Sequence, residues 1–148
     1  MFFYVLDQLY LTYKEPILKI IDSQLLSAVT EQAKNSPRLR MNFNFHESMD
    51  SKSQRLLNAL EMGTKFPIHR HQHTAETYIL LKGCIRVLIY NEKKELIDSI
   101  VLNPLEGKFG IDIPIGQFHT VEILENGSVI FEVKDGPYTP LEEKDILR

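Results

Sequence analysis

Short alternating segments run along most of this chain, and they limit its possible folds more than any other feature. From about residue 38, apolar side chains return at every second position in runs such as MNFNFH, ETYILL, IRVLIY and SVIFEV. Gly, Pro or Asn stands at most of the joins, as at Lys82-Gly83. About eight to ten short strands at intervals of roughly 8–12 residues are typical of an all-β sandwich or barrel. We therefore predict a mainly β fold, with one barrel spanning residues 37–148.

A helical pattern precedes the strands. Four apolar residues fall on one face at helical spacing: Leu25, Leu26, Val29 and Ala33. Asp22 or Ser23 can cap the first turn, because a short side-chain oxygen there accepts a free backbone N–H. Ser36 stands before Pro37 and is therefore disfavoured in the helical region. The sequence predicts an N-terminal unit, residues 1–36, that ends in a short helix. Its first 16 residues could form an arm that docks on a partner, an added edge strand or an extension with little structure.

The composition narrows the function classes. With 148 residues, 43% apolar and 25% charged, the chain suits one ordinary soluble domain. A net charge of −3 argues against a nucleic-acid surface, which normally shows a concentrated basic face. No apolar run reaches the roughly 18 residues of a membrane span, and the start MFFYVLDQLY lacks the basic region of a signal peptide. The single Cys84 excludes an internal disulfide. We predict a cytoplasmic protein that binds neither nucleic acid nor membrane.

Three of the five histidines stand in one stretch, HRHQHTAE, at positions 69 to 76. On a strand, His69 and His71 would face the same side with their Cα atoms about 6.6 Å apart, which lets both imidazoles reach one ion. A turn after His71 would let Glu76 begin the next strand and enter the same interior. His119 arrives from a separate segment, just after the IPIG turn. The pattern predicts that these four side chains meet inside the barrel.

Such a cluster would be costly without a partner. An unsatisfied buried polar group costs about 1–3 kcal/mol, and a buried carboxylate costs more. We therefore predict one divalent transition metal ion as the cofactor, and nitrogen-rich ligation suits Zn, Fe, Ni, Cu or Mn. The alternatives are surface polar residues around a hairpin, or a metal-free site in which one histidine is a general base. His73 has the same parity as His69 and His71, but we expect it to lie in the solvated turn.

The spacing around these histidines resembles the first motif of the cupin superfamily. The agreement covers every fixed position of Gly63-x5-His69-x-His71-x4-Glu76-x6-Gly83. The second motif is looser: Pro114, Gly116 and His119 fit, but Ile123 stands where asparagine is expected and Lys108 where glycine is expected. The resemblance implies a small jelly-roll β-barrel.

A narrower resemblance covers about residues 19 to 145. The segments NSPRLRMNFNFHES, QRLLNALEMG, PIHRHQHTAET, IPIGQFHTV and FEVKDGPY are similar to those of the WbuC-type cupin metalloproteins, found with bacterial O-antigen and surface-polysaccharide gene clusters. This resemblance implies four metal ligands: His69, His71, Glu76 and His119. It also implies pocket positions for His46, Gln54 and Arg55. The first 16 residues have no counterpart in it.

The function predicted from these features is metal-assisted isomerisation, epimerisation or a related step on a sugar or sugar nucleotide. His46 and Tyr78 are the candidate catalytic residues, although His46 could instead be a strand-end residue bonded to backbone, and Tyr78 core. Arg55 and Arg86 could bind a phosphate or carboxylate, or be solvated or paired. Gln54 and Asn58 are further candidates for the pocket.

Other functions fit the same residues. They are a non-catalytic metal-dependent carbohydrate-binding or sensor protein, a metal-free sugar-nucleotide epimerase, and an Fe(II) dioxygenase. The apolar N-terminal arm and exposed strand edges favour a homodimer.

Overall fold

The computed structural model describes residues 17–148, which form two antiparallel five-stranded sheets and one α-helix. The helix is α1 (Ser23–Lys34). In chain order the strands are β1 (Arg40–Asn44), β2 (Ser53–Leu60), β3 (Ile68–His69), β4 (Glu76–Lys82), β5 (Ile85–Tyr90), β6 (Leu96–Leu102), β7 (Gly110–Ile113), β8 (Phe118–Ile123), β9 (Ser128–Asp135) and β10 (Ile146–Leu147). Short 3₁₀ helices span Pro104–Glu106 and Glu143–Asp145. The arm predicted for the first 16 residues lies outside the described residues.

The first sheet has the order β1-β2-β9-β4-β7 and the second has the order β10-β3-β8-β5-β6. Apolar side chains from both sheets form the main core between them, including Leu60, Leu80 and Ile130 from the first and Ile85 and Val87 from the second. Alternating positions in each strand supply this core because successive side chains point to opposite faces. The predicted mainly β jelly-roll arrangement is therefore present.

Helix α1 begins where the sequence predicted. Asp22 is its N-cap, and the Asp22 Oδ1 atom accepts from the Leu25 backbone N–H at 2.9 Å. The apolar side of the helix packs on the outer face of the first sheet, in a cluster of buried residues: Val29, Ala33, Leu57, Ala59 and Val129. Met41 and Phe43 of β1 join this cluster. No helix among the described residues is long and apolar enough to cross a membrane.

Two strands differ from the sequence-based expectation. The run TKFPIHRH yields only the two residues of β3, and Pro67 immediately before it has no N–H to donate to a neighbouring strand. The second difference is β10, whose Ile146 pairs with His69. Sequence periodicity did not indicate β10, because a two-residue strand has no period. The predicted homodimer stays a prediction.

Candidate metal centre

Three strands bring the predicted metal ligands together. His69 lies on β3 opposite His119 on β8, and their ring centroids are 4.5 Å apart. After His71 the chain crosses from the second sheet to the first, where Glu76 is the first residue of β4. The predicted turn between His71 and Glu76 is therefore present, and it returns the carboxylate toward the histidines.

The ligating atoms of His69, His71 and Glu76 all lie within 4.8 Å of one another. Glu76 uses both oxygens: Oε1 is 3.1 Å from His71 Nε2, and Oε2 is 2.9 Å from His119 Nε2. Glu76 is 2% exposed and His119 is 1% exposed, so this carboxylate is removed from bulk water. The four residues predicted from the sequence thus form one contiguous cluster.

Backbone carbonyls set the orientation of two of these imidazoles. His69 Nδ1 is 3.0 Å from the Pro67 carbonyl oxygen, and His119 Nδ1 is 2.9 Å from that of Gln117. Since only a protonated nitrogen can donate to a carbonyl, these contacts place a proton on Nδ1, and in the neutral ring they leave Nε2 with a lone pair. Such contacts are typical of metal-binding histidines.

This assignment tests whether the cluster suits a cation. A neutral His119 then turns the lone pair of Nε2 toward a carboxylate oxygen 2.9 Å away, and two acceptors at that distance need a proton or a cation between them. The donor set of three imidazoles and one carboxylate is one that divalent transition metals bind. The residues present therefore fit a metal ion.

Burial changes the protonation of the ligands. It lowers the pKa of His69 to about 4, with a further contribution from His119, so His69 is neutral at physiological pH. Burial alone would raise the pKa of Glu76, but the adjacent imidazoles of His119 and His71 outweigh it and hold that pKa well below its usual range. The carboxylate is ionised and the imidazole of His69 is neutral, which are the forms that bind metals.

Glu132 and Lys134 of β9 also belong to this site, and sequence reasoning missed them. Lys134 Nζ lies 3.5 Å from Glu76 Oε1 and 3.2 Å from Glu132 Oε1. Burial raises the pKa of Glu132 to about 7, against the opposing effect of Lys134, and Glu76 raises it further. Burial would lower the pKa of Lys134, but Glu132 and Glu76 together raise it. The available signal was parity, because Glu132 and Lys134 stand two and four positions after the inward-facing Ile130 and therefore face the same side of β9.

A cavity of about 260 Å³ opens beside the cluster, between the two sheets. His69, His71 and Glu76 lie in its wall. Its polar lining from the first sheet and the segments that flank it comprises Arg38, Arg40, Asn42, Asn44, His46, Gln54, Asn58, Glu132 and Lys134. These polar side chains can donate to and accept from a ligand that carries several hydrogen-bonding groups.

The structure brings four of the other predicted residues to this cavity: His46, Gln54, Asn58 and Tyr78. The Tyr78 hydroxyl donates to Glu76 Oε2 at 3.0 Å, and burial together with Glu76 raises the pKa of Tyr78. His46 lines the cavity, with Nδ1 3.0 Å from the backbone N and O of Arg55. Gln54 is buried, and its amide donates to the Ser51 carbonyl at 2.8 Å.

Arg55 and Arg86 are not brought to the cavity, and neither is His73. Arg86 follows the pleat of β5 to the outer face of the second sheet, where it pairs with Glu122 at 2.8 Å. The Arg55 side chain alternates with inward Gln54 and is exposed. His73 is exposed in the turn, as predicted.

Comparison with known proteins gives a family and a fold. The model of a family described as a domain of unknown function (DUF6016) matches residues 21–102. A comparison with curated proteins gave no match.

Similar solved structures include the capsular polysaccharide assembling protein CapF from Staphylococcus aureus, at 19% identity and a TM-score of 0.54 over 67% of this chain and 27% of that chain. The Schizosaccharomyces pombe Cnp3 cupin domain is similar at 10% identity and a TM-score of 0.52, over 65% of this chain and 64% of that one. KdgF from Halomonas sp. is similar at 14% identity and a TM-score of 0.54, over 70% of this chain and 84% of that chain. The chain spans about a quarter to a third of the length of CapF. These likenesses confirm the predicted cupin fold.

Proposed function

Because the chain belongs to the family described as a domain of unknown function (DUF6016), we propose its function from the site itself. We propose a cupin-fold protein that uses one divalent transition metal ion to bind and convert a sugar or sugar nucleotide, in the cytoplasm, during bacterial surface-polysaccharide (O-antigen) synthesis. The observation that carries this proposal is the cluster of His69, His71 and Glu76 in the wall of the cavity between the sheets.

The metal would be held by the four residues His69, His71, Glu76 and His119, and Zn, Fe, Ni and Mn all suit such ligands. When bound, a metal of this kind polarises a carbonyl or hydroxyl oxygen and lowers the pKa of a bound water. Lys134 contacts Glu76 Oε1 and would have to yield this oxygen to the metal. Glu132, which also contacts the Lys134 ammonium, then keeps that charge paired.

Two residues of the chain are proposed to act beside the metal. The Tyr78 hydroxyl holds Glu76 by a hydrogen bond of 3.0 Å, and its raised pKa keeps it protonated. His46 is held at Nδ1 by the Arg55 backbone, which leaves Nε2 as the ring nitrogen for a ligand in the cavity. We propose that His46 exchanges a proton with the ligand and that Tyr78 fixes the carboxylate. Gln54, bonded to the loop at Ser51, shapes the pocket.

Three arguments support a carbohydrate ligand. The cavity wall carries asparagine side chains, which can donate to and accept from sugar hydroxyls. The sequence resembles the WbuC-type cupin metalloproteins. One similar structure, CapF, is described as a capsular polysaccharide assembling protein. The last two arguments rest on analogy, since a shared fold does not fix a function.

The experiment begins with elemental analysis of the purified native protein. We expect close to one transition metal per chain. In the Glu76→Gln variant we expect metal affinity to fall by more than about 100-fold. Replacing a residue that only hydrogen-bonds to a metal ligand already lowers metal affinity about 10–100-fold. Glu31→Gln, which replaces an exposed residue of α1, is the matched control. This variant should keep its metal. Full metal content in Glu76→Gln would contradict the proposal.

The second part assays a panel of sugars and sugar nucleotides with the metal-loaded and the chelator-treated protein. Turnover that requires the metal is expected. Turnover that persists without metal would favour a metal-free epimerase, and binding without turnover would favour a carbohydrate sensor. Oxygen uptake with an iron-loaded protein would favour a dioxygenase.

A further inference from the structure

Arg40 is a half-buried cation with only neutral partners among residues 17–148. Its Nη1 donates to Thr64 Oγ1 at 3.2 Å and to the Lys65 carbonyl at 3.0 Å. Its guanidinium carbon lies 4.5 Å from the centroid of the Phe66 ring. These contacts fix the orientation of the guanidinium, but none of them balances its charge. Burying an unbalanced charge is unfavourable, so the arrangement suggests an anionic partner.

The other arginines make the contrast clear. Arg70, Arg86 and Arg148 each pair with an acidic side chain, and Arg55 has no acidic partner among the described residues but is exposed and lies outside the cavity. Within residues 17–148, no carboxylate lies within the 4.0 Å ion-pair distance of Arg38 or Arg40. Both of these arginines line the cavity. Two arginines without an acidic partner thus lie in the wall of the same cavity.

The backbone between the two arginines is held in one conformation. Leu39 between them has a φ of 56°, a left-handed conformation that is unfavourable for leucine. It is fixed by backbone hydrogen bonds of 3.0 Å, from Leu39 N to the Ser36 carbonyl and from Glu61 N to the Leu39 carbonyl. Burial and the like charge of Arg38 lower the pKa of Arg40. Repulsion between these guanidiniums would be relieved by a bound anion.

The arginine pair lies far from the metal centre along the same sheet. In the strand register, Lys134 of β9 lies opposite Glu76 of β4 on one side and opposite Gln54 of β2 on the other. Arg40 of β1 lies opposite Leu60, at the other end of β2. Gln54 and Leu60 are three same-face positions apart on β2, roughly 20 Å of strand. A ligand that reaches both ends is therefore extended, and larger than one monosaccharide ring.

Asparagines lie between the two ends. Asn42 and Asn58 are partners in the β1–β2 register, and both line the cavity. The Asn58 residue is 8% exposed, and its Oδ1 has no hydrogen-bond partner among the described residues. An unpaired buried acceptor costs stability, and a hydroxyl group from a ligand would satisfy it.

We propose that Arg38 and Arg40 bind the anionic group, a phosphate or a carboxylate, of an extended carbohydrate whose hydroxyl-bearing part lies between Asn58 and the metal centre. The inference rests on the proposed function in taking the ligand to be a carbohydrate. Guanidinium groups match the geometry of both anions by paired N–H donors. A sugar nucleotide, through its diphosphate, or a uronic acid oligosaccharide has this chemistry.

The test measures binding of pyrophosphate, glucose 1-phosphate, glucuronate and glucose to the full chain by isothermal titration calorimetry at low salt. In Arg38→Gln and Arg40→Gln we expect the affinity for pyrophosphate to fall about tenfold each, with metal content unchanged. Arg40→Lys should retain part of the affinity, because the charge is kept.

Arg148→Gln, which removes an exposed arginine paired with Glu143, is the matched control and should bind as the wild type does. Melting temperatures check that Arg40→Gln is folded, and the exposed Arg38 can be replaced without affecting the core.

Pyrophosphate should still bind after the metal is removed, because its site is the arginine pair. Anion binding that needs the metal, that is unchanged in both arginine variants, or that is absent for all three anions would overturn the proposal. A preference for glucose 1-phosphate over glucuronate identifies phosphate as the group, and the reverse identifies carboxylate. Failure here would leave the metal analysis and the metal-dependent turnover of neutral sugars unaffected, so the two proposals can fail separately.

Discussion

Strand β9 sends Val129 and Phe131 to the face that α1 covers, and Ile130, Glu132 and Lys134 to the face that lines the cavity. Strand β2 does the same with Leu57 and Ala59 on one side and with Gln54 and Asn58 on the other. One backbone therefore carries an apolar outer face and a largely polar inner face. The pleat alone produces this separation, since neighbouring side chains point to opposite faces.

The two faces stabilise the protein to different extents. The outer face gains from apolar burial against α1, which needs no ligand. The inner face holds Glu76, Glu132 and Lys134 away from water, and burying charges is unfavourable unless they are paired. Beside the cavity, the outer positions of β2 and β9 should therefore contribute mainly to stability, and the polar inner positions mainly to function. Substitutions on each face can test this separation.

The largest effect is expected from Leu57→Ala. Leu57 is fully buried, with 0% exposure, in the cluster beneath α1. Removing its side chain should lower the free energy of unfolding by about 2–5 kcal/mol, through lost burial and the cavity that remains. Urea denaturation measures this loss. Metal content of the folded protein should be unchanged, and loss of metal without loss of stability would contradict the separation of the two faces.

An intermediate effect with a defined pH dependence is expected from Glu132→Gln in the metal-free protein. The folded state raises the pKa of Glu132 from 4.5 to about 7, so it binds a proton more tightly than the unfolded chain does. The stability that this proton provides is complete below pH 4.5 and is lost as the pH rises through 7. Glutamine cannot ionise, so the variant should gain about 2–3 kcal/mol relative to the wild type between pH 5 and pH 8.

Urea denaturation at pH 5, 6.5 and 8 provides the measurement for Glu132. The exposed Glu122, which pairs with Arg86 on the outer face of the second sheet, supplies the control variant Glu122→Gln. A difference between Glu132→Gln and the wild type that stays constant across this range would show that Glu132 ionises normally.

The smallest effect is expected at the end of α1. Asp22→Ala removes the cap that accepts from the Leu25 N–H at 2.9 Å, and we expect a loss of about 1 kcal/mol. Ser23→Ala, one residue later, leaves the cap in place and is the control. Thermal denaturation followed by circular dichroism measures both. Equal stability of the two variants would show that the cap contributes nothing to holding the helix on the sheet.

Much of the fold and of the candidate site could be predicted from the sequence, because it depends on residues that are close together in the chain. Helix α1 follows from its apolar spacing and Asp22, and the pleated faces of β1 follow from alternation. The cluster of predicted metal ligands could be found because three of its four residues stand within one short segment. Glu76 begins a strand as predicted, since the intervening residues leave room for a turn.

The rest depends on pairing between distant segments. Glu132 and Lys134 join the site only because β9 lies beside β4, where Lys134 faces Glu76. Nothing local distinguishes Arg40, which faces the cavity, from Arg86, which pairs with Glu122 outside it. Sequence reasoning chose Arg86 because the face that a strand turns inward is set by its partners and not by the strand.

Strand β3 has two residues, and both of its neighbours come from later in the chain: His119 on β8 pairs with His69 on one side, and Ile146 on β10 pairs with it on the other. Arg70, the next residue, bonds through its backbone N–H to the Asp145 carbonyl at 3.0 Å. During synthesis, the segment HRHQH therefore emerges long before the strands that align it. The four residues can come together only after β8 has left the ribosome, because β8 supplies His119.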